Sequence, residues 1–175
     1  MDITSIILLI FIVMVVINTI YSTKYGVVNM PSSRKTRSII IDDIQSLSTN
    51  GNGLTIYDCG SGWGGLCARL HRAFPKATIT GFEISPIPYL ISKLNPFRRY
   101  KIQRDNLFDI DLEQDDILIF YLSPRHMIRI KNEIIPKLKK GTLIYSQGFP
   151  IPDMKPQKTF MTTIALEKEC YRYSV

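Results

Sequence analysis

From Ile3 to Ile20 the chain reads ITSIILLIFIVMVVINTI, a run with no charged side chain. A helix rising about 1.5 Å per residue would carry that run roughly 27 Å, close to the ~30 Å hydrocarbon core of a bilayer. Its polar positions, Thr4, Ser5, Asn18 and Thr19, fall at the ends, and Tyr21 and Tyr25 follow where interfacial aromatics gather. A cleaved leader would need a basic start and a small-residue cleavage motif, yet only Asp2 precedes the run. A buried core helix would keep a polar stripe, and this one has none. The pattern predicts a transmembrane helix over 3–20, within an N-terminal anchor of residues 1–25.

Beyond a linker the pattern changes to short apolar runs alternating with helical periodicity. Ser33 can cap a helix through about Leu47, with Ile40, Ile41, Ile44 and Leu47 on one face. Thr49 to Gly53 is a breaker. Strands are expected at Leu54–Cys59, Ala77–Glu83, Tyr100–Arg104, Asp116–Leu122 and Gly141–Gln147. Helices between them are expected at Gly64–Phe74, Ile87–Leu94 and Pro124–Leu138, the last with Met127, Ile130, Ile134 and Leu138 on one face. Such alternation predicts an α/β domain over 31–175, an open and mostly parallel sheet with helices on both faces. Thr159–Leu166 and Cys170–Tyr173 read as two strands with no helix between them, so the sheet should end in an antiparallel hairpin.

Charge adds orientation. No Lys or Arg precedes the apolar run, whereas Lys24, Arg34, Lys35 and Arg37 follow it, which places the folded domain on the cytoplasmic side, or the matrix side of an organelle. Setting aside Asp2 and Lys24 leaves 21 basic and 14 acidic residues, a balance of +7 that suits an anionic leaflet without invoking nucleic acid. Three cysteines without a C-x-x-C pair, and two histidines in all, give neither a disulfide framework nor a metal site. They suit a reducing compartment.

The candidate chemistry lies in Asp58-Cys59-Gly60-Ser61-Gly62-Trp63-Gly64-Gly65, between the first strand and the first helix of the domain. Glycines there allow a tight turn and aim backbone N–H groups at a ligand. Glu83 ends the next strand, where a carboxylate can accept both hydrogens of a ribose diol. Gly60, Gly62 and Gly65 fit the G-x-G-x-x-G of NAD sites; Asp58 with Gly60, Gly62 and Gly64 fits the D-x-G-x-G-x-G of S-adenosylmethionine sites. Charge favours the second, because Asp58 would repel a pyrophosphate and attract an ammonium and a sulfonium. The terminal hairpin also suits a seven-stranded methyltransferase sheet.

Residues 31–150, and more weakly the tail, resemble the class I lysine N-methyltransferases that include the ATP synthase c-subunit lysine methyltransferase and small archaeal protein-lysine methyltransferases. The likeness is carried by Pro31-Ser32-Ser33, the D-x-G-S-G loop, Gly81 to Pro86, Asp105-Asn106-Leu107-Phe108, Tyr121-Leu122-Ser123-Pro124, and Gly141-Thr142 with Ser146 and Phe149. The family usually has Asp-Gly-Arg where this chain has Trp63-Gly64-Gly65, and Asn where it has Ser85. The resemblance implies a Rossmann-like seven-stranded fold with S-adenosyl-L-methionine as cofactor. It implies that Asp58, Gly60, Ser61 and Gly62 hold the methionine moiety, that Glu83 holds the ribose, and that Ile84 and Asp105 meet the adenine. Pro31, Tyr121, Pro124 and Phe149 would surround the substrate. Tyr121 and Ser146 would be catalytic, with Tyr121 at a strand's carboxyl end orienting an ε-amine.

The partner expected is a protein carrying a target lysine, at or in the membrane. A lipid or amphiphile substrate, or a non-catalytic nucleotide-binding module, are the other readings. His71 and His126 read as solvated surface residues, and Arg98, Arg99, Lys101 and Arg104 as a solvated rim or a phospholipid contact. Since every expected sheet element follows residue 50, deleting residues 1–25 is expected to leave a cofactor-binding domain.

Overall fold

A computed structural model describes residues 2–25, 32–47, 53–94, 98–110, 112, 116–162 and 168–175. The first helix, α1 (Ile3–Tyr25), is apolar around its circumference and has a mean hydropathy of 2.8 over its best 18-residue window. It is long and apolar enough to cross a membrane, a test that a secretory leader also passes. It runs five residues beyond the expected end at Ile20, through the Tyr21–Tyr25 turn.

The domain then follows the expected order. Helix α2 (Arg34–Leu47) starts where Ser33 Oγ accepts the Thr36 N–H at 3.0 Å, satisfying an otherwise orphaned donor. Next come β1 (Thr55–Cys59), α3 (Gly65–Ala73), β2 (Thr78–Phe82), α4 (Pro86–Lys93), β3 (Lys101–Gln103), β4 (Ile117–Phe120) and α5 (Pro124–Arg129). The chain closes with β5 (Leu143–Gln147), β6 (Lys158–Met161) and β7 (Glu169–Ser174). The strand order is β3-β2-β1-β4-β5-β7-β6, with β7 antiparallel to both of its neighbours. This is the seven-stranded, Rossmann-like methyltransferase sheet, its terminal hairpin included.

β4 shows why the sheet needs covers on both faces. Ile117 and Ile119 join the core beneath α2 and α3, with Ile40, Ile44, Ile56, Leu66 and Leu70. Leu118 and Phe120 point the other way, into a second core with Met127, Ile130, Ile134, Ile144 and Tyr173. A strand buried on both faces has no polar alternation, which is why the sequence reads as one apolar run.

One element departs from expectation. The helix expected over Pro124–Leu138 is α-helical only to Arg129, becomes a π-turn over Ile130–Ile134 and a 3-10 turn over Ile135–Lys137. Pro136 offers no N–H, and its ring crowds the carbonyl one turn back, so the hydrogen-bond ladder shifts register before it.

α2 is fixed to the sheet by a buried carboxylate. Asp43 Oδ2 accepts from Tyr145 Oη and Arg172 Nη1, both at 2.8 Å, and Oδ1 accepts from Lys158 Nζ at 2.9 Å. Burial alone would raise the Asp43 pKa, but the bonds from Lys158, Tyr145 and Arg172 hold it below its ordinary 3.8. The stabilisation is therefore present above that value and is lost as pH falls through the depressed pKa. Asp43→Ala would strand a buried phenol and the Arg172 guanidinium, and is expected to cost about 3 kcal/mol at pH 7. Urea unfolding of the full chain in detergent checks this, and the gap to the wild type should narrow below about pH 4.

Candidate active site

β1 and β2 end side by side, Asp58 paired with Gly81 and Cys59 with Phe82. The chain leaves β1 through Gly60 and Gly62, at φ 94° and 54°, a region that disfavours any side chain. The N–H groups of Gly60 and Ser61 both donate to the Phe82 carbonyl at 2.9 Å, folding the loop back over β2. Glu83 locks it there. Its Oε2 accepts the Gly62 N–H at 2.8 Å and its Oε1 the Ser85 N–H at 2.7 Å. Glu83 is 2% exposed; burial raises its pKa, against the bonds from Ser85 and Gly62. Each carboxylate oxygen keeps a further lone pair for a ligand hydroxyl.

Beside Glu83 lies a cleft of about 330 Å³, enclosed by the ends of β1 and β2, the segment after β3, α5 and the last turn of α1. Gly60, Glu83, Ile84 and Asp105 line it together. A Cβ at Gly60 would come within 3.1 Å of Leu122 Cδ2, so a side chain there would press on another residue of the cleft wall. Asp58 sits behind the loop, 5% exposed, with the Cys67 thiol donating to Oδ2 at 3.3 Å. Burial pushes its carboxyl up to about 7, the Cys67 bond and the Arg37 charge oppose this, and the Glu83 charge adds to it. Ser61 Oγ is buried and has no hydrogen-bond partner among the described residues. Two buried acids, an unpartnered hydroxyl and a loop of backbone donors fit a ligand that brings both cationic charge and hydroxyl groups.

Residues 58–158 match the family model described as the ANTKMT methyltransferase domain. The chain belongs to this family. An RNA methyltransferase from Salinibacter ruber, bound to S-adenosyl-L-homocysteine, superposes with a TM-score of 0.68 at 21% identity, over 83% of this chain and 93% of its own. A magnesium protoporphyrin IX methyltransferase from Synechocystis with bound S-adenosylmethionine gives 0.64 at 14% identity, over 80% and 78%. A ribosomal protein methylase from Lactobacillus delbrueckii gives 0.61 at 14%, over 79% and 76%. These likenesses are of fold. No curated protein matches the sequence. The chain is an S-adenosylmethionine-dependent methyltransferase.

Against this methyltransferase cleft the expected site residues divide. Gly60, Glu83, Ile84 and Asp105 lie on it; Gly62, Ser61 and Asp58 stand directly behind it. Tyr121, Pro124, Ser146 and Phe149 do not line it. Tyr121 is buried just past β4, and Pro124 is exposed at the start of α5. Ser146 Oγ donates to the Phe149 carbonyl at 2.5 Å and lies 3.2 Å from Met127 Sδ, an internal tie under the β5 end. Phe149 packs on the α5-side core. Pro31 lies outside the described residues. Among those residues no group of His, Cys, Asp and Glu is placed to hold a metal ion.

Three features of the site were not read from the sequence. His126, expected in solvent, is half-buried on the cleft, its Nδ1 3.0 Å from Ser123 Oγ and its ring stacked on Phe108 at 5.9 Å. Burial lowers its pKa, and Arg129 and Arg125 lower it further, which favours the neutral imidazole. The Arg129 guanidinium covers the other part of this stack, 3.7 Å from the Phe108 ring centroid. Arg37, expected only as a flanking charge, reaches the glycine loop: a Cβ on Gly65 would meet its Nη1 at 2.7 Å. The i, i+3 spacing of Ser123 and His126 at a helix start was a local signal; Phe108 and Arg37 had none.

A cationic cofactor favours the ionised form of Asp58, so binding should release a proton. S-adenosylmethionine affinity is therefore expected to rise about tenfold from pH 6 to pH 8. Calorimetry in buffers of different ionisation enthalpy measures the proton, and Asp58→Asn should flatten the profile.

Proposed function

We propose that this methyltransferase transfers methyl groups to the ε-amine of lysine in a protein held at the same membrane, with residues 1–25 as its anchor and residues 31–175 as its catalytic domain. Family membership over residues 58–158 carries the reading, joined to the likeness of the Tyr121 to Pro124 and Ser146 to Phe149 segments to lysine N-methyltransferases. The length of α1, and basic residues that follow it without any before it, support a single span with the domain on the cytoplasmic or matrix side.

The cofactor supplies a methyl carbon on a positively charged sulfur, so the protein's task is mainly alignment. In this reading Glu83 takes the ribose hydroxyls, Ile84 and Asp105 border the adenine, and Asp58, Ser61 and Gly62 serve the methionine end. The nucleophile approaches over the segment after β4, Tyr121 to Pro124, at the carboxyl end of a central strand. A neutral amine is required there, and its surplus proton leaves to water, so no buried base is needed.

Membranes from cells lacking the gene, incubated with the purified full-length enzyme and methyl-labelled S-adenosylmethionine, test the assignment. The label is expected in protein, and in methyllysine after hydrolysis. Label in the lipid extract instead would make the substrate an amphiphile. In the same assay Glu83→Gln, which keeps the side-chain length but loses the charge, should lower cofactor affinity by about 2 kcal/mol.

A further inference from the structure

The last turn of α1 does more than end a hydrophobic helix. Thr23, Lys24 and Tyr25 line the same cleft as Glu83 and Asp105. One turn earlier the Tyr21 hydroxyl accepts a hydrogen bond from Arg104 Nη2 at 3.2 Å, and Arg104 directly precedes Asp105. The rings of Tyr21 and Tyr25 stack with centroids 5.6 Å apart and planes 29° apart, and Lys24 Nζ lies 5.3 Å from the Tyr25 centroid. α1 also packs on α4, the helix that follows Glu83. The apolar face of the helix thus gives way, within one turn, to a tyrosine pair fixed against the loop that borders the cleft.

We propose that this turn is the outer wall of the cofactor site, with Tyr25 covering the adenosine end and the Tyr21–Arg104 bond holding it there. The inference rests on the placement of ribose at Glu83 and adenine at Asp105. An aromatic ring and a cation beside a nucleobase supply contact area and a hydrogen-bonding edge at small entropic cost. Cofactor affinity then depends on the seated helix. A chain that starts at residue 26 would lack this wall, which reverses the expectation that residues 1–25 can be removed without loss of binding.

The test uses the full chain in nanodiscs of phosphatidylcholine with phosphatidylglycerol, and calorimetry with S-adenosylhomocysteine and with adenosine. Tyr25→Ala is expected to weaken both ligands about tenfold, with Tyr25→Phe close to wild type and the ligand-free melting midpoint unchanged. Tyr21→Phe removes only the clasp's acceptor and should weaken both about threefold, which keeps the test available if Tyr25→Ala does not fold. Wild-type affinity in Tyr25→Ala or in Tyr21→Phe, alongside a loss in Glu83→Ala, would overturn the wall while leaving the cleft assignment standing. Wild-type affinity in Glu83→Ala would overturn both.

Discussion

Two buried carboxylates at neighbouring strand ends set the terms for the whole site. Asp58 is the penultimate residue of β1 and Glu83 follows β2, so parallel pairing brings the two acids to the same end of the sheet, Glu83 on the cleft and Asp58 behind the glycine loop. Among the described residues neither has a salt-bridge partner; what answers them is a thiol, the Arg37 charge and two backbone N–H groups. Burial and mutual repulsion raise the Asp58 pKa to about 7. The protein therefore holds charge that its own groups stabilise incompletely. The glycine loop is shaped by the same constraint. Gly62 must turn its N–H toward Glu83, which puts the backbone at φ 54° and brings the loop over the end of β2.

The rest of the sheet holds this edge rigid. Parallel pairing of β1 with β2 and β4 leaves no freedom of register, since a slip by one residue would exchange Ile117 and Ile119 with Leu118 and Phe120 between the two cores. The antiparallel hairpin then supplies Arg172 and Lys158, whose charges reach across to Asp43 on α2. A helix near the chain start is thereby tied to the strands at its end. That same helix carries Arg37 to the glycine loop.

What the sequence made legible follows from the range of the forces involved. The strand β4 could be read because two-sided burial leaves an uninterrupted apolar run, and the glycine loop because positive φ restricts residue choice locally. The helix α1 could be read because its composition needs no partner to explain it. The break after Arg129 was harder, since Pro136 acts on hydrogen bonds several residues earlier. His126 was misjudged because its surroundings come from elsewhere: Phe108 stands on the segment after β3, and nothing near His126 in the chain announces that ring. The catalytic hydroxyl expected at Ser146 illustrates the converse. A polar residue ending a central strand satisfies the functional pattern, yet here its hydroxyl is bonded to the Phe149 carbonyl, within the same turn.

Gly65 shows how a change of residue can be answered in space. The lysine methyltransferases that this sequence resembles usually carry an arginine two residues into that turn, and here the position has no side chain. The volume beside it is occupied by the Arg37 guanidinium, so close that any Cβ on Gly65 would collide with Nη1. A side chain at position 65 would therefore displace the Arg37 guanidinium from the place it holds here. Arg37 in turn lowers the cost of ionising Asp58. A cation on α2 differs from one on the loop in one respect. It ties the electrostatics of Asp58 to the seating of α2, and through Asp43 to the hairpin, so the charge balance of the site depends on a helix that precedes the family-matched segment 58–158.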